Sequence, residues 1–574
     1  MSDIREIAEA LEEISVLLEL KGENPFKSRA YANAARVIRG TDLEVDEFIA
    51  QAAAGKIKGV GETISEKISI LRKSGRLPYL EELRATFPAG LMELFKVPGL
   101  GAKKVKTLYA ELGISSLGEL EYACHENRLV ELPGFGAKTQ ENILTGIKRL
   151  AAYAGRFRYS VARTAADRVV EDLRQSGLCI DLEIGGSIRR KLETAKDIDL
   201  LATSKKPKKL MDLFVKNPQA QQVVAHGETK SALVLNNGIA VDLRVVAPGE
   251  YASALLHFTG NKEHNTLLRA LAKKSGLKLN EYGLFDGDKP LILKSEAEIY
   301  QCLGLHYIPP ELREGRNEVD YAVGNEIPPL VELSDLQGIV HAHTNYSDAT
   351  MTLRRLAETV RQLGYKYLGL TDHSQSAAYA RGLKPADLKR QHDEVDRLNA
   401  ELAPFKIFKG VESDILPDGS LDYPDDILAA FDFVIASVHS KFNMTEKDMT
   451  RRIIRAVQNR FTTILGHPTG RLLLSREAYP VNISEVLEAA AESKTAIELN
   501  ANPHRLDLDW RYLPRAKNLG IPIAICPDAH SAEGLGDVEY GIGIARKGWL
   551  TKTDVLTCWD VKTVEAYFGK KRKK

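Results

Sequence analysis

After residue 336 short apolar runs alternate with amphipathic helical stretches, and each run stops at a polar residue. Tyr367-Leu368-Gly369-Leu370-Thr371 leads into Asp372-His373, Phe433-Val434-Ile435-Ala436-Ser437 leads into His439, and Thr495-Ala496-Ile497-Glu498-Leu499 leads into Asn500. Runs this short and this apolar read as strands, and their regular alternation with helices points to parallel βα units. A βα barrel presents its function at the C-terminal ends of its strands, which is where these polar residues fall. Residues 336–574 are therefore expected to form a barrel with a polar site at one end.

The rest of the chain follows other patterns. At 574 residues it is too long for one core, and about three to five domains is the natural expectation. Residues 1–150 carry apolar residues at three-and-four spacing with short Gly/Pro breaks, which predicts helices throughout. From about 156, β-branched runs such as Ser231-Ala232-Leu233-Val234-Leu235 and Ile239-Ala240-Val241-Asp242-Leu243 alternate with helices, a mixed α/β unit. Residues 309–335 are rich in Pro, Glu and Gly, including Pro309-Pro310 and Pro328-Pro329, and read as a linker.

Composition excludes several classes. No apolar run approaches the ~20 residues that span a bilayer, and the start MSDIREIAEALEEI reads as an amphipathic helix rather than a signal peptide. The five cysteines are far apart with no CxxC pair, which argues against a disulfide framework or a thiolate zinc site. A cytoplasmic, nucleoid-associated protein is the expectation. Net charge is only +1, so any phosphate-binding cations must be arranged locally. The basic tail Lys570-Lys571-Arg572-Lys573-Lys574 reads as a solvated end.

Three helical breaks share one grammar: Gly59-Val60-Gly61, Gly99-Leu100-Gly101 with Lys103, and Gly134-Phe135-Gly136 with Lys138. Each is an apolar residue, a tight Gly-x-Gly turn and a new helix. Such a turn aims backbone N–H groups and a positive helix end at a phosphate without reading bases. Repetition makes plain joint glycines the weaker reading.

A first metal-type constellation is Gly185-Gly186-Ser187, Asp197-Ile198-Asp199 and Asp242. Residues two apart in a strand share a face, and Asp242 is expected on a neighbouring strand. Three carboxylates hold two magnesium ions roughly 3.5–4 Å apart, one activating a hydroxyl and the other stabilising leaving pyrophosphate. The Gly-Gly-Ser turn with Arg189-Arg190 offers donors and charge for triphosphate oxygens.

The second constellation uses histidines, eight of the thirteen following residue 336. It runs His341-Ala342-His343, Asp348, Asp372-His373, Glu412, His439, His467 and Asp528-Ala529-His530. A lone buried histidine is usually a satisfied core residue, but recurrence at strand ends speaks against that here. Mixed imidazole and carboxylate ligands favour zinc, manganese or iron, and a cluster of such ions hydrolyses phosphate esters.

The glycine turns match the helix-hairpin-helix module of DNA repair proteins, and the three-aspartate region resembles the nucleotidyltransferase palm, more closely that of family X DNA polymerases. His257-Phe258-Thr259-Gly260 stands where that family has Tyr-Phe-Thr-Gly, and Leu279-Asn280-Glu281-Tyr282-Gly283-Leu284-Phe285 matches its thumb strand. The resemblance makes Asp197, Asp199 and Asp242 catalytic metal ligands for Mg2+ or Mn2+. It makes Gly186, Ser187, Arg190, His257, Phe258, Gly260, Asn265 and Arg269 nucleotide or template contacts, and Arg244 a partner of the carboxylates. His257 in place of tyrosine, and Asn261 in place of serine, are departures, so the family's sugar discrimination is not implied. Asn24-Pro25-Phe26-Lys27 and the first glycine turn resemble the family's gap-binding domain. There Lys67 fits the lysine that forms a Schiff base with an abasic sugar, although Thr63 replaces a basic neighbour.

The histidine set resembles the PHP domain, a distorted βα barrel. The resemblance implies His341, His343, Asp348, His373, Glu412, His439, His467, Asp528 and His530 as ligands for Zn2+, Mn2+ or Fe2+, with Asp372 and Arg505 in support. His392 and His504 read as surface or support residues. The implied class is multidomain α+β and α/β: helical N-terminal DNA-binding domains with helix-hairpin-helix motifs, palm and thumb, and a C-terminal distorted (β/α)7 PHP barrel. Expected boundaries are 1–80 for the gap-binding domain, 81–155 for helical fingers, 156–247 for the palm, 248–315 for the thumb, 316–335 for a linker and 336–574 for the PHP domain. The implied function is gap-filling DNA synthesis in repair with 3′→5′ exonuclease activity, acting as a monomer on gapped or primer-template DNA with deoxynucleoside triphosphates, and with no membrane partner. Two other readings compete: a nuclease or 3′-phosphatase that uses the polymerase half to grip DNA, and a structural gap binder.

Overall fold

The computed structural model describes every residue except 1–3, 42, 116, 126–128, 130, 131, 133, 154, 378, 379, 475, 476, 573 and 574. Pro133 and the last two tail lysines therefore lie outside the described residues. The chain forms two compact units, Met1–Ala154 and Gly155–Lys574.

The first unit is helical. The helix Ile4–Lys21 turns Leu11, Ile14 and Leu18 onto Tyr31, Ala34 and Ile38 of the helix Pro25–Arg39, all buried, as three-and-four spacing demands. The three glycine turns adopt one conformation. Gly59, Gly99 and Gly134 have φ of 93°, 84° and 84°, a region only glycine enters freely. In each turn an apolar carbonyl closes the loop, Val60 N donating to Ile57, Leu100 N to Val97 and Phe135 N to Leu132. Gly61 and Gly101 then sit at the N-caps of the helices Glu62–Ser74 and Ala102–Leu112, and Gly136 precedes the helix Ala137–Tyr153.

The second unit begins with a five-stranded sheet in the order Leu182–Ile184, Asp197–Thr203, Ala240–Val246, Lys230–Leu235, Ala220–His226. Alternation decides which face carries chemistry. Val241, Leu243 and Val245 are buried, packing with Ala162, Ala166 and Val169 of the helix Tyr159–Gln175. Asp242 and Arg244 consequently face the other way. Beyond it, the stretch Leu279–Phe285 is a hairpin rather than one strand. Leu277–Asn280 pairs antiparallel with Gly283–Asp286, because Asn280 Oδ1 accepts from Tyr282 N at 2.9 Å and Gly283 N at 3.1 Å and turns the chain.

Seven parallel strands follow in chain order, from Gly338–Ala342 to Ile523–Cys526. The first and last are joined by an isolated bridge between Ala342 and Ala529, with His343 N donating to Ala529 O at 2.9 Å. Strand residues are buried on both faces, as helices outside and side chains inside a βα barrel require.

The segment expected as a linker is packed in part. Val319, Ala322 and Val331 are buried, and Glu318 accepts from His264 Nδ1 at 2.8 Å and from Gly315 N at 2.7 Å. Glu311, Arg313 and Glu318 are buried, while Arg316, Asp320, Glu326 and Glu332 stay exposed, so polar composition marked solvent exposure in only part of the segment. Among the described residues, no helix is long and apolar enough to cross a membrane.

A carboxylate palm cleft and a histidine-carboxylate cluster

Asp199 lies directly across from Asp242 in the parallel pair Asp197–Thr203 and Ala240–Val246, and Asp197 shares their face. The geometry of the pleat thus gathers all three carboxylates. Burial raises the Asp199 pKa from 3.8 to about 6, and the charges of Asp197 and Asp242 push the same way against Arg244 and Arg190. Three like charges held this close call for cations.

The Gly-Gly-Ser turn is fitted against Asp199. Gly185 N donates to Asp199 O at 2.8 Å, and a Cβ on Gly186, whose φ is +59°, would meet Asp199 Oδ2 at 2.4 Å. Here glycine is a requirement of approach as well as of conformation. The cleft beside it, about 500 Å³, is lined by Gly186, Ser187, Arg190, Asp197, Asp199, His257, Phe258, Gly260, Asn265 and Arg269. These are the nucleotide contacts expected from sequence, together with two of the three aspartates. Arg156, Lys196 and Lys262 add cations that sequence reading did not single out.

Individual neighbours set the geometry. Asn265 Nδ2 donates to His257 O at 2.8 Å, and Asn261 caps the helix Lys262–Lys274 by accepting from His264 N at 2.8 Å. Burial lowers the His257 pKa, with Arg269 and Arg244 adding to the effect and Glu281 opposing it. Arg244 stacks its guanidinium 4.5 Å from the centre of the Phe258 ring. Lys230 pairs with Asp242 at 2.9 Å, a contact absent from the sequence reading.

At the mouth of the barrel, three overlapping ligand sets form: His343, Asp348, His373 and His530; His341, His343 and Asp528; and His373, Glu412 and His439. Glu412 is central, within 4 Å of five imidazoles, His467 among them with Nε2 at 3.0 Å. Burial opposes the Glu412 charge, but His439, His341 and His373 outweigh it and hold the carboxyl well below its ordinary range. Burial likewise opposes charge on His373 and His439, yet Glu412 leads the forces that push them up to about 10 and about 9. His343, flanked by His530 and His373, is pushed down to about 3, first by burial.

These residues fit metal ions. His341 Nε2, both ring nitrogens of His343, Glu412 Oε2 and His467 Nδ1 are buried and make no hydrogen bond. Leaving so many polar atoms orphaned at one spot is costly unless a cation takes them. His341 and Asp528 are also held at φ of 68° and 53°, strained for non-glycine residues, as functional sites often are.

Supporting residues escaped the sequence reading. Glu498 accepts from His341 Nδ1 and His467 N, Asp414 accepts from His439 Nδ1 at 2.6 Å, and Asn500 Nδ2 donates to Asp528 at 3.1 Å. Glu498 left one signal, an acidic residue inside an apolar strand run, which a fold tolerates only when the charge is paired. Asp372 braces the loop that joins His343 to Asp348, accepting from Thr344 N and Ser347 Oγ, and also from Gln391 Nε2. Arg505 reaches Asp528 at 3.8 Å, His504 contacts Arg158, and His392 packs edge-on against Phe431.

In the first unit, Lys67 and Lys27 stand over one ring, that of Tyr79, at 4.7 and 5.7 Å.

A carboxylate palm with a cation-lined cleft, joined to a barrel carrying a histidine-carboxylate cluster, defines a nucleotidyltransferase fused to a metal phosphoesterase. Family models agree in order along the chain: a helix-hairpin-helix domain over 3–77, a helix-hairpin-helix tandem over 91–149, the DNA polymerase beta thumb over 254–314 and the PHP domain over 340–502. The chain is 40% identical to the DNA polymerase/3′-5′ exonuclease PolX of Bacillus subtilis, over 98% of its own length and 99% of that protein. It is 25% identical to DNA polymerase lambda of Rattus norvegicus over 54% of the chain and 56% of that protein. A probable phosphatase of Thermoanaerobacter sp. (strain X514) matches at 29% identity over 41% of the chain and 95% of its own length. The chain belongs to the family X DNA polymerases that carry a PHP domain.

Proposed function

We propose that this protein fills short gaps in DNA at the palm and shortens 3′ ends at the barrel. The observation that carries the reading is the register pairing Asp199 with Asp242 beside a cleft floored by the Gly-Gly-Ser turn. The relatives support both activities, since one is a polymerase with 3′-5′ exonuclease and others are probable phosphatases.

In the palm, Asp197, Asp199 and Asp242 would hold Mg2+ or Mn2+. Ser187 and Arg190 bind triphosphate oxygens, Phe258 and His257 floor the sugar, and Asn265 and Arg269 orient base and template. In the barrel, the nine histidine and acidic residues from His341 to His530 would hold Zn2+, Mn2+ or Fe2+. Divalent ions in such sites lower the pKa of the attacking oxygen and offset charge on the phosphate. Glu498 and Asp414 fix which imidazole nitrogens face inward, and Arg505 stands beside Asp528 to meet a phosphate.

The glycine turns grip the DNA backbone, with Gly59, Gly61, Gly99, Gly101, Gly134 and Gly136 offering N–H groups and Lys103 and Lys138 adding charge. Lys67 with Lys27 makes a two-cation site suited to a 5′-phosphate. Whether Lys67 also supports lyase chemistry is read by borohydride trapping on an abasic site. Incubating gapped duplex with and without nucleotides tests the principal reading. Extension and shortening are the expected products, and DNA binding with neither product sinks it.

A further inference from the structure

The nucleotide cleft is braced by a residue from the barrel. Arg190 lines the cleft, but two edges of its guanidinium are occupied. Nε donates to Glu314 Oε1 at 3.1 Å and Nη1 donates to Thr259 O. Glu314 Oε1 also accepts from Lys547 Nζ at 2.5 Å, the last residue of the barrel helix Val538–Lys547. Lys547 is 1% exposed, donates to Glu311 O at 3.1 Å and lies 4.7 Å from the Trp510 ring.

A lysine in that position needs a reason. Burying an ammonium is costly, and burial lowers the Lys547 pKa while Glu314 resists. A packed apolar residue would hold the helix against its neighbours at less expense. What the ammonium adds is a second cation on the carboxylate that Arg190 uses. One carboxylate between two cations leaves the trio with a net positive charge. It also fixes Glu314, and through it the plane of the guanidinium, leaving the remaining edge of Arg190 for the cleft.

We propose that Lys547 is a positioning residue for nucleotide binding, acting through Glu314 on Arg190, so that the barrel completes the polymerase cleft. This rests on the assignment of Arg190 to the triphosphate. Without Lys547, Glu314 neutralises Arg190 alone and is held otherwise by Asn261 Nδ2 at 3.3 Å, a weaker neutral contact that lets it draw Arg190 from the cleft.

The full-length chain carrying Lys547→Met is assayed on a one-nucleotide gap, alongside direct titration of a fluorescent deoxynucleoside triphosphate. The expected result is a nucleotide KM and dissociation constant raised about tenfold, the scale of one charge-assisted hydrogen bond. kcat should change less than threefold, and shortening of single-stranded DNA less than twofold. Glu314→Gln, which keeps the shape, should raise KM similarly, and the double variant should be no worse than the poorer single one. An unchanged KM in either folded variant overturns the proposal. So does a parallel loss of both activities, or additive effects, because a purely structural brace behaves that way. If Lys547→Met does not fold, Glu314→Gln decides. A wild-type chain that binds no nucleotide contradicts the palm reading instead, and is thereby told apart.

Discussion

Glu498 accepts the Nδ1 proton of His341, and the same carboxylate takes the backbone N–H of His467. One buried acid therefore fixes the ring orientation of one cluster histidine and the backbone of another. His341 is left with Nε2 facing Glu412 and Asp528 at 3.4 and 3.5 Å. Such outer partners commonly matter about 10–100-fold in metal affinity or activity. Glu498→Gln should lower shortening of a 3′ end by that order and leave gap filling within twofold. Equal shortening by the variant, at matched metal content, contradicts this assignment.

The raised pKa of Asp199 makes a stability prediction. A carboxyl whose folded pKa exceeds its unfolded value favours the fold at low pH. For Asp199 that contribution is full below about 4 and is lost as pH rises through about 6. The difference is on the order of 3 kcal/mol at neutral pH, at ~1.4 kcal/mol per pH unit. Asp199→Asn should therefore raise the melting temperature in EDTA at pH 8 and have little effect at pH 4. It should also abolish extension. A destabilised variant at pH 8 would show that the three carboxylates do not repel as described.

In the histidine cluster the direction is the same, but the pH window lies higher. His373 and His439 are pushed up to about 10 and about 9, so protons stand where cations are expected. Their contribution to stability is complete below pH ~6.5 and lost as pH rises through 9 to 10. Metal-free protein should melt progressively lower from pH 7 to 10, and added manganese should restore most of the difference. Melting curves with and without manganese across that range provide the check, and an identical pH slope in both counts against metal occupancy of the cluster.

Lys230 and Asp242 form a half-exposed pair at 2.9 Å. Exposed pairs contribute about 0–1 kcal/mol, so an incoming ion displaces Lys230 at small cost. Lys230→Met should tighten manganese binding to the palm by at most about fivefold, as read by electron paramagnetic resonance. Weaker binding would mean that Lys230 supports the bound state instead.

Much of this was legible in the sequence because it depends on local pattern. The period-two spacing of Asp197 and Asp199 places both on one face, and Gly186 is read from its turn. The strand runs before His373 and His439 gave the barrel for the same reason. What escaped was long-range pairing. Glu498 is 157 positions from His341, and Lys547 is 233 positions from Glu314, so no window along the chain joins them. The stretch around Glu318 misled for a related reason: polarity was read as exposure, while buried hydrogen bonds from His264 and Gly315 N had absorbed the Glu318 carboxylate. The hairpin at Tyr282 was missed because the turn is made by a side chain, Asn280, rather than by a glycine pair.

The most direct measurement places a 5′-labelled primer on a one-nucleotide gap with manganese, with and without nucleotides, for the wild-type chain, Asp199→Ala and His343→Ala. The wild type should extend with nucleotides and shorten without them. Asp199→Ala should lose extension alone, and His343→Ala shortening alone. If either substitution removed both products from a folded protein, the two activities could not belong to separate palm and barrel sites.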